Sequence, residues 1–240
     1  MVHTLPIKRV LAFGAHPDDC ELLCGGTLAR FAHSGVHVTI CSVTTGEKGH
    51  RKRAVEPAAH IRQKEACQAA TIIGATVAFL NIPDGQVFHT TELRNRIIEL
   101  IRRSQPDLIL THWPDDYHPD HQATGSLVTE CSWFAASSGH CTDSPPVESP
   151  VAIYYMDTVS GLEFDPTEYV DIGEVIKEKE AMVGCHVSQL GPNAQHGEPD
   201  LMGLMRDQAR LRGRQCGVEF AEAFRPCLKW KRLRPCRMLP

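Results

Sequence analysis

The sequence lacks the long apolar segments that mark membrane-spanning or exported proteins. No apolar run approaches the roughly 20 residues that cross a bilayer, and residues 1–9 contain no apolar signal segment. The ten cysteines include no C-x-x-C pair, so the sequence gives little support for a cysteine-bound zinc site. Cys41, Cys67 and Cys185 instead lie within strand-like or helix-like patterns. We therefore expect reduced, mostly buried thiols in a cytoplasmic protein.

A strong charge imbalance is also absent, since the formal net charge is −4 at pH 7. This value gives no electrostatic reason to expect binding to nucleic acid or to an anionic membrane. We interpret a short basic tail, at about residues 225–240, as a solvated terminus or an oligomer contact, because short runs of charge usually face solvent. Its basic residues are Lys229, Lys231, Arg232, Arg234 and Arg237.

The chain contains no internal repeat, and apolar, β-branched segments alternate with segments of helical periodicity. Strands are predicted at residues 7–13, 36–43, 76–80, 108–111, 151–156 and 170–172, and helices at 27–33, 56–73, 92–103, 120–134, 174–189 and 199–215. This alternation indicates βαβ units and a parallel sheet. Residues 135–150, rich in serine and proline, are predicted to form a loop too short to force a second domain. We expect residues 1–240 to form a single domain.

A polar loop, Gly14-Ala15-His16-Pro17-Asp18-Asp19-Cys20-Glu21, directly follows the first predicted strand. It places a histidine and three carboxylates at the end of a buried strand, where unpaired charges are costly to desolvate. A metal ion or a substrate would account for these side chains, and so would a turn with a helix-capping acid.

A second polar loop, at residues 112–119, follows the strand predicted at 108–111 and leads into His118-Pro119-Asp120-His121. Proline suits a first helical position, so His118 and His121 would project from the start of one helix. The pair alone is also compatible with ordinary packing at a helix N-terminus. Because ligands of parallel α/β sheets bind at the carboxyl ends of strands, we expect both loops to build one site.

The residue types in these loops suit metal-assisted hydrolysis. Imidazole and carboxylate groups are good zinc ligands, so His16, Asp19 and a histidine of the second loop would leave one position open for water. Asp18 adjoins a ligand and is the expected general base, while His118, oriented by Asp120, would act as an acid or an oxyanion partner.

The two loops together resemble the motifs of the PIG-L/LmbE family of zinc-dependent deacetylases, which remove acetyl from N-acetylglucosamine-type groups. Similar landmarks follow at residues 62–70, 83–85, 185–189 and 221–224, so the resemblance covers about residues 7–224. It implies a Rossmann-like three-layer α/β/α fold with a mainly parallel sheet. It also implies a small-molecule amino-sugar substrate. Relatives often form multimers, so a homo-oligomer is a further expectation.

The resemblance also implies residue roles. Zinc would be held by His16, Asp19 and His121, and the catalytic residues would be Asp18, His118 and Asp120. A site with these ligands would also suit iron, cobalt or manganese. Substrate hydroxyls would meet Glu47, Arg62 and Asp84. The alternative is ordinary surface charge for Glu47 and Arg62, and a turn-setting role for Asp84.

The chain departs from the family pattern at one landmark. Phe220 precedes Ala221-Glu222-Ala223-Phe224, where relatives often carry a tyrosine. Tyr117, next to His118, is a candidate substitute or a partly packed loop residue. Residues 48–53 are unusually basic, which suits either an anionic group on the substrate or charge facing solvent.

The expected reaction is hydrolysis of an acetamide to acetate and a free amino sugar. A metal lowers the pKa of its water towards ~7, and Asp18 accepts the proton as the water attacks the carbonyl. Two alternatives use the same metal site: hydrolysis of a different amide, and hydration of an unsaturated acid. A nucleotide-binding protein is disfavoured, because the first strand leads into His-Pro-Asp-Asp and not into G-x-G-x-x-G.

Overall fold

The structure is a computed structural model that describes residues 7–49, 57–190 and 200–240. Its strands are β1 (Arg9–Gly14), β2 (His37–Thr44), β3 (Thr76–Ile82), β4 (Leu108–Thr111), β5 (Ala152–Met156), β6 (Glu168–Asp171) and β7 (Ala221–Pro226). Its α-helices are α1 (Asp19–His33), α2 (Ala58–Ile72), α3 (Thr91–Ser104), α4 (Pro119–Phe134), α5 (Ile176–Gly184) and α6 (Leu201–Cys216). Within the described ranges, no helix combines the length and the apolar character needed to cross a bilayer.

The strands form one sheet in the order β3-β2-β1-β4-β5-β7-β6. Strands β3, β2, β1, β4 and β5 run parallel, whereas β7 is antiparallel to both β5 and β6. The predicted mainly parallel sheet is therefore confirmed.

Helices cover both faces of the sheet, which explains why its central strand is apolar throughout. In β1, Val10 and Ala12 pack into a core that includes side chains of α1, α2, α5 and α6. Leu11 and Phe13 point to the opposite face and pack with side chains of α3 and α4. Strands buried on both faces read as continuous apolar runs. The predicted three-layer α/β/α architecture is confirmed.

Helix α1 begins eight residues before the predicted start at residue 27, directly inside the acidic loop. Gly25 and Gly26 do not precede the helix but lie within it. A Cβ atom on Gly26 would lie 2.7 Å from Cγ2 of Ile172, closer than real Cβ atoms approach a neighbour. Close packing against Ile172, and not helix termination, therefore explains Gly26.

Gly26→Ala is expected to lower the free energy of unfolding by about 1–3 kcal/mol, because the added methyl group overlaps Ile172. Gly25→Ala is the matched control in the same helix, since its Cβ would meet its nearest neighbour, Cγ of Lys179, at an ordinary 3.6 Å. Alanine's helix propensity makes the control neutral or stabilising. Denaturant titration of both variants measures the difference, and equal effects would contradict the packing argument.

The remaining differences from the predicted elements are local. Strand β7 was not predicted, because alanine and glutamate are depleted in strands. The single helix predicted over 174–189 is instead α5 flanked by 3₁₀ turns at Gly173–Val175 and Val187–Gln189. The predicted helix starts at residues 56 and 199, and most of the basic stretch 48–53, lie outside the described residues.

The basic tail is not uniformly solvated. Arg232 is buried, and its guanidinium donates to the carbonyl oxygen of Thr129 at 2.9 Å and to Oγ of Ser132 at 3.0 Å, both on α4. The expectation of a simply solvated terminus is therefore wrong for this residue. All ten cysteines lie in the described residues as free thiols, and five of them are buried, namely Cys20, Cys24, Cys41, Cys131 and Cys227.

A buried ion pair joins three elements beneath the polar loops. Nζ of Lys179, on α5, lies 2.5 Å from Oε1 of Glu222 on β7, and both side chains are at most 3% exposed. The same carboxylate accepts hydrogen bonds from the backbone N–H groups of Gly26 and Thr27 and from the Thr27 hydroxyl. Glu222 thus has a partner for each oxygen, which a buried carboxylate requires.

The sheet order also determines where a site can form. The chain leaves β1 towards β2 on one side, and β4 lies on the other side of β1. This reversal of strand order is a topological switch point, where the loops at the carboxyl ends of two neighbouring strands diverge and leave a crevice. The loops after β1 and β4 are the two polar loops predicted to share a site.

Candidate metal centre and active site

The two loops do meet at this crevice. His16 lies in the loop after β1 and Asp19 is the first residue of α1, while His118 and His121 flank the start of α4. His118 is the N-cap residue of α4, and its Nδ1 accepts a hydrogen bond from the backbone N–H of Asp120 at 3.2 Å. Pro119 occupies the first helical turn, as the sequence predicts.

Donor atoms of His16, Asp19 and His121 lie close to one another. Nδ1 of His16 lies 3.3 Å from Nε2 of His121 and 3.4 Å from Oδ2 of Asp19, and Nε2 of His121 lies 3.5 Å from Oδ1 of Asp19. Ligands placed tetrahedrally at about 2.0–2.1 Å from a zinc ion are separated by roughly 3.3 Å. The three side chains are therefore spaced as ligands of a tetrahedral metal ion, with His16 and His121 facing different oxygens of Asp19.

Other side chains at the crevice extend the donor set. Three overlapping groups have one ligand atom from each residue within 4.8 Å of one another: His16 with His118 and His121, Asp19 with His112 and His121, and His16 with Asp84 and Asp120. His16 and His121 each belong to two of these groups. The crevice therefore contains a candidate metal centre, and these two histidines are its common members.

Asp116 fixes the orientation of the His121 ring. Its Oδ1 lies 3.1 Å from Nδ1 of His121 and also accepts the backbone N–H of His118 at 2.9 Å. A proton on Nδ1 leaves the lone pair of Nε2 free to face Asp19 and His16, which is the usual arrangement of a metal-binding histidine. Asp116 is not among the site residues predicted from the sequence, although a carboxylate five residues before a candidate ligand was a usable signal.

Asp116→Asn is expected to weaken metal binding about 10–100-fold, because the amide can present its N–H₂ to Nδ1 and so favour the wrong tautomer. Asp115→Asn, an exposed neighbour in the same loop, should leave the affinity unchanged. Competition with a chromophoric chelator measures both variants. An Asp116→Asn protein that binds metal as tightly as the wild type would contradict this role.

The electrostatics of the cluster favour a bound cation. Burial opposes a charge on Asp19, but the nearby rings of His121 and His112 hold the pKa of its carboxyl well below its usual range. Burial likewise opposes protonation of His121, yet Asp19 and Asp116 raise its pKa to about 9. The carboxylates therefore attract protons onto the rings of the metal-free chain, and a divalent cation would replace those protons.

His112 belongs to the cluster but is not among the site residues predicted from the sequence. Its ring is fully buried and stacks on His121 with centroids 4.0 Å apart. Burial lowers its pKa to about 4, so the ring is neutral. Its Nε2 lies 3.0 Å from the backbone nitrogen of Ala15, from which it can accept a hydrogen bond. The same atom lies 3.0 Å from Oδ2 of Asp19, to which it can donate one when it carries the proton. Its position directly after β4, at the carboxyl end of a parallel strand where ligands bind, was the feature of the sequence that could have indicated it.

Asp18 lies beside the donor cluster in an unusual backbone conformation. Its φ of 131° and ψ of −22° fall in a region that costs a non-glycine residue about 1–3 kcal/mol and is found mainly at functional sites. Burial raises the pKa of its carboxyl, while Arg62 acts in the opposite direction. A carboxylate with a raised pKa that adjoins a metal centre is suited to proton transfer.

Arg62 holds Asp18 in place and is itself buried. Its Nη2 lies 3.0 Å from Oδ2 of Asp18 and donates to the carbonyl oxygen of Pro17 at 2.6 Å, and its Nη1 donates to the carbonyl oxygen of Gly46 at 2.8 Å. The guanidinium is only 3% exposed and both of its terminal nitrogens have protein acceptors. Ordinary surface charge, the alternative to a substrate contact, is therefore wrong for Arg62.

The side chain of Asp120 does not orient His118, in contrast to the expectation. Its Oδ2 accepts the backbone N–H of Gly85 at 2.7 Å and lies 3.5 Å from Nε2 of His16. The hydrogen bond between the two residues comes from the backbone N–H of Asp120 and not from its carboxylate. Burial, with the charges of nearby histidines, lowers the pKa of His118, so its ring is neutral and carries its proton on Nε2.

The two other predicted substrate contacts lie together at the edge of the crevice. Both oxygens of Glu47 accept the backbone N–H of Asp84, at 3.1 and 3.2 Å, and Oδ2 of Asp84 accepts the backbone N–H of Lys48 at 3.1 Å. Glu47 is half-buried and Asp84 is buried. This double link joins the loop after β2 to the loop after β3.

The two aromatic positions differ in their surroundings. Tyr117 is 63% exposed, with its ring centroid 6.0 Å from that of His118 and 5.9 Å from that of His121. Phe220 is buried in the core on the α1 face, where the guanidinium of Arg210 lies 5.4 Å from its ring centroid. Only Tyr117 therefore lies next to the donor cluster.

Known proteins resemble this chain over most of its length. The profile of the PIG-L family, described as GlcNAc-PI de-N-acetylase, matches residues 11–132. A diacetylchitobiose deacetylase of Thermococcus kodakarensis is 30% identical over 232 residues, covering 91% of this chain and 83% of the relative. A 4-oxalmesaconate hydratase of Pseudomonas putida is 29% identical over 193 residues, covering 77% of this chain and 75% of the relative.

A solved structure extends the similarity to the fold. The N,N'-diacetylchitobiose deacetylase of Pyrococcus horikoshii, in complex with an inhibitor, superposes with a TM-score of 0.81 at 27% sequence identity. The match covers 92% of this chain and 84% of that chain. The likeness therefore extends over most of the fold.

Proposed function

Because this chain belongs to the PIG-L family, we propose that it is a metal-dependent hydrolase that removes the N-acetyl group from an N-acetylglucosamine-type amino sugar or its conjugate. The observation that carries the proposal is the convergence of His16, Asp19 and His121, whose donor atoms approach pairwise to 3.3–3.5 Å, beside a buried carboxylate with a raised pKa. Metal-assisted hydrolysis of an amide needs both parts.

The proposed ligands are His16, Asp19 and His121, and the favoured metal is Zn²⁺. Two imidazoles and one carboxylate form a common three-ligand set of catalytic zinc. Iron, cobalt and manganese also accept such ligands, so metal identity is a matter for measurement. When bound, the ion would acidify a water molecule and polarise the acetamide carbonyl.

Asp18 is the proposed general base. As a water molecule adds to the carbonyl carbon, Asp18 accepts its proton, and the bond between carbon and nitrogen then breaks. The departing amine takes a proton from Asp18, which leaves acetate and a free amino sugar. The neutral His118 can share its Nε2 proton in a hydrogen bond, but it would become an imidazolate if it gave that proton up. Nε2–H of His118 is also a suitable donor to the developing oxyanion, since its Nδ1 is occupied by the Asp120 N–H.

Substrate binding is proposed at the rim of the crevice. Glu47 is half-buried beside Asp84 and is the proposed contact for a sugar hydroxyl. Tyr117 is a proposed second contact, since its exposed ring adjoins His118 and His121. Arg62 is proposed to position Asp18, because its two terminal nitrogens already bind protein acceptors.

The test of the function is a substrate screen with zinc-loaded protein. Proton NMR should show acetate and free amine in equal amounts from N,N'-diacetylchitobiose, N-acetylglucosamine or a glucosaminide conjugate. The second candidate function, hydration of an unsaturated acid, is favoured by the 29% identity to a hydratase. An unsaturated dicarboxylic acid is therefore included in the screen. Loss of its alkene signal, with no amine released from any of the sugars, would favour that candidate and contradict the deacetylase proposal.

A further inference from the structure

We infer that Asp84 and Asp120 are positioning residues for the metal ligand His16, whose Nε2 faces both carboxylates. Nε2 of His16 lies 3.3 Å from Oδ1 of Asp84 and 3.5 Å from Oδ2 of Asp120. Its other nitrogen, Nδ1, faces the donor cluster. The inference rests on the proposed metal site, but it does not depend on which substrate is hydrolysed.

Both carboxylates are held rigidly by backbone N–H groups. Asp120 is 3% exposed and accepts from Gly85 at 2.7 Å and from Val87 at 3.3 Å. Asp84 is 8% exposed and accepts from Lys48 at 3.1 Å through the oxygen that does not face His16. Buried carboxylates anchored in this way cannot turn towards a substrate without losing these hydrogen bonds.

Two carboxylates at one ring nitrogen determine where the proton of His16 resides. A neutral imidazole carries one N–H, and its other nitrogen has a lone pair. Acceptors at Nε2 favour a proton there, which leaves the Nδ1 lone pair directed at Asp19 and His121. Asp116 does the same for His121 from the opposite side of the cluster. Each histidine ligand therefore has its own carboxylate support.

This arrangement gives the loop after β3 a role in the metal centre. Gly85 and Val87 hold Asp120 of α4, so the loops after β1, β3 and β4 are joined around His16. The turn Pro83-Asp84-Gly85 thus serves the metal ligand. A second metal ion between His16, Asp84 and Asp120, whose donor atoms lie within 4.8 Å, is the competing explanation. With one metal ion on Nδ1 and a second on Nε2, the His16 ring would have to lose both of its N–H protons.

The experiment compares Asp84→Asn and Asp120→Asn with the wild type and with Asp115→Asn, an exposed control. Zinc affinity is measured by chelator competition, and the absorption spectrum of the cobalt-substituted protein reports ligand geometry. We expect zinc affinity to fall about 10–100-fold in both variants, with altered cobalt spectra and a lower kcat at nearly constant KM. The control should match the wild type in every measurement.

Three results would overturn the inference. These are unchanged zinc affinity with a KM raised several-fold, two zinc ions per wild-type chain, or a His16 ring that binds zinc through Nε2 in ¹⁵N NMR of the wild-type protein. The NMR result needs no variant, so it decides the question even if a substitution prevents folding. If the variants lose zinc affinity but no acetylated sugar is hydrolysed, the proposed function fails and the inference stands.

Discussion

Asp18→Asn is expected to lower kcat by about 10²–10⁴-fold, the range that a positioned general base contributes. Asparagine has nearly the same shape and tolerates a positive φ better than most residues, so the strained backbone at Asp18 should persist. The amide cannot accept the proton of an attacking water. The chain should therefore keep its metal while losing its chemistry, and it should be less stable, because the buried Arg62 guanidinium loses its countercharge.

The measurement is steady-state kinetics together with metal analysis. Metal content and KM should stay close to the wild-type values, because neither a ligand nor a proposed substrate contact is changed. Asp115→Asn serves as the matched control for a change of one carboxylate to an amide on the surface. An Asp18→Asn protein with full kcat would show that Asp18 is not the general base. An Asp18→Asn protein without metal would show that Asp18 is a metal ligand.

Glu222→Gln is expected to lower the free energy of unfolding by about 3–5 kcal/mol, because it leaves the ammonium group of Lys179 buried without a countercharge. The pair lies beneath α1, so part of the loss should appear as loosening of the helix that starts at Asp19. The double variant Lys179→Met/Glu222→Gln should recover much of the stability, since no unpaired charge remains.

Denaturant titration of the three proteins measures these energies. Lys177→Ala is the matched control on the same helix, because Lys177 pairs with Glu180 at 3.0 Å but its side chain is 83% exposed. An exposed pair contributes little, so this variant should change the stability by less than about 1 kcal/mol. A Glu222→Gln protein as stable as this control would show that the buried pair is not needed.

The sheet was predictable because its strands are apolar and separated by single helices. The five parallel strands all have predicted counterparts, and β4 has the predicted bounds. Strand β7 was not predicted, because its Glu222 is unfavourable in a strand unless it is paired. Its partners Lys179, Gly26 and Thr27 come from distant parts of the chain. Local propensity contains no information about such partners.

The composition of the candidate site was similarly predictable only in part. The polar loops were identified because charged groups at the ends of buried strands require partners. The sequence could not show that the carboxylate of Asp120 faces His16 or that Asp116 faces His121, because these contacts depend on side-chain orientation across three loops. His112 was overlooked because a lone histidine is usually a packed residue.

The central claim, a metal-dependent deacetylase, is tested most directly by titrating metal-depleted protein with zinc while acetate release from N,N'-diacetylchitobiose is followed. We predict no acetate from the depleted protein and a linear rise in rate up to one equivalent of zinc. Each acetate should be accompanied by one free amine. Full activity after metal depletion, or no acetate release from any N-acetylated sugar by the fully loaded protein, would contradict the claim.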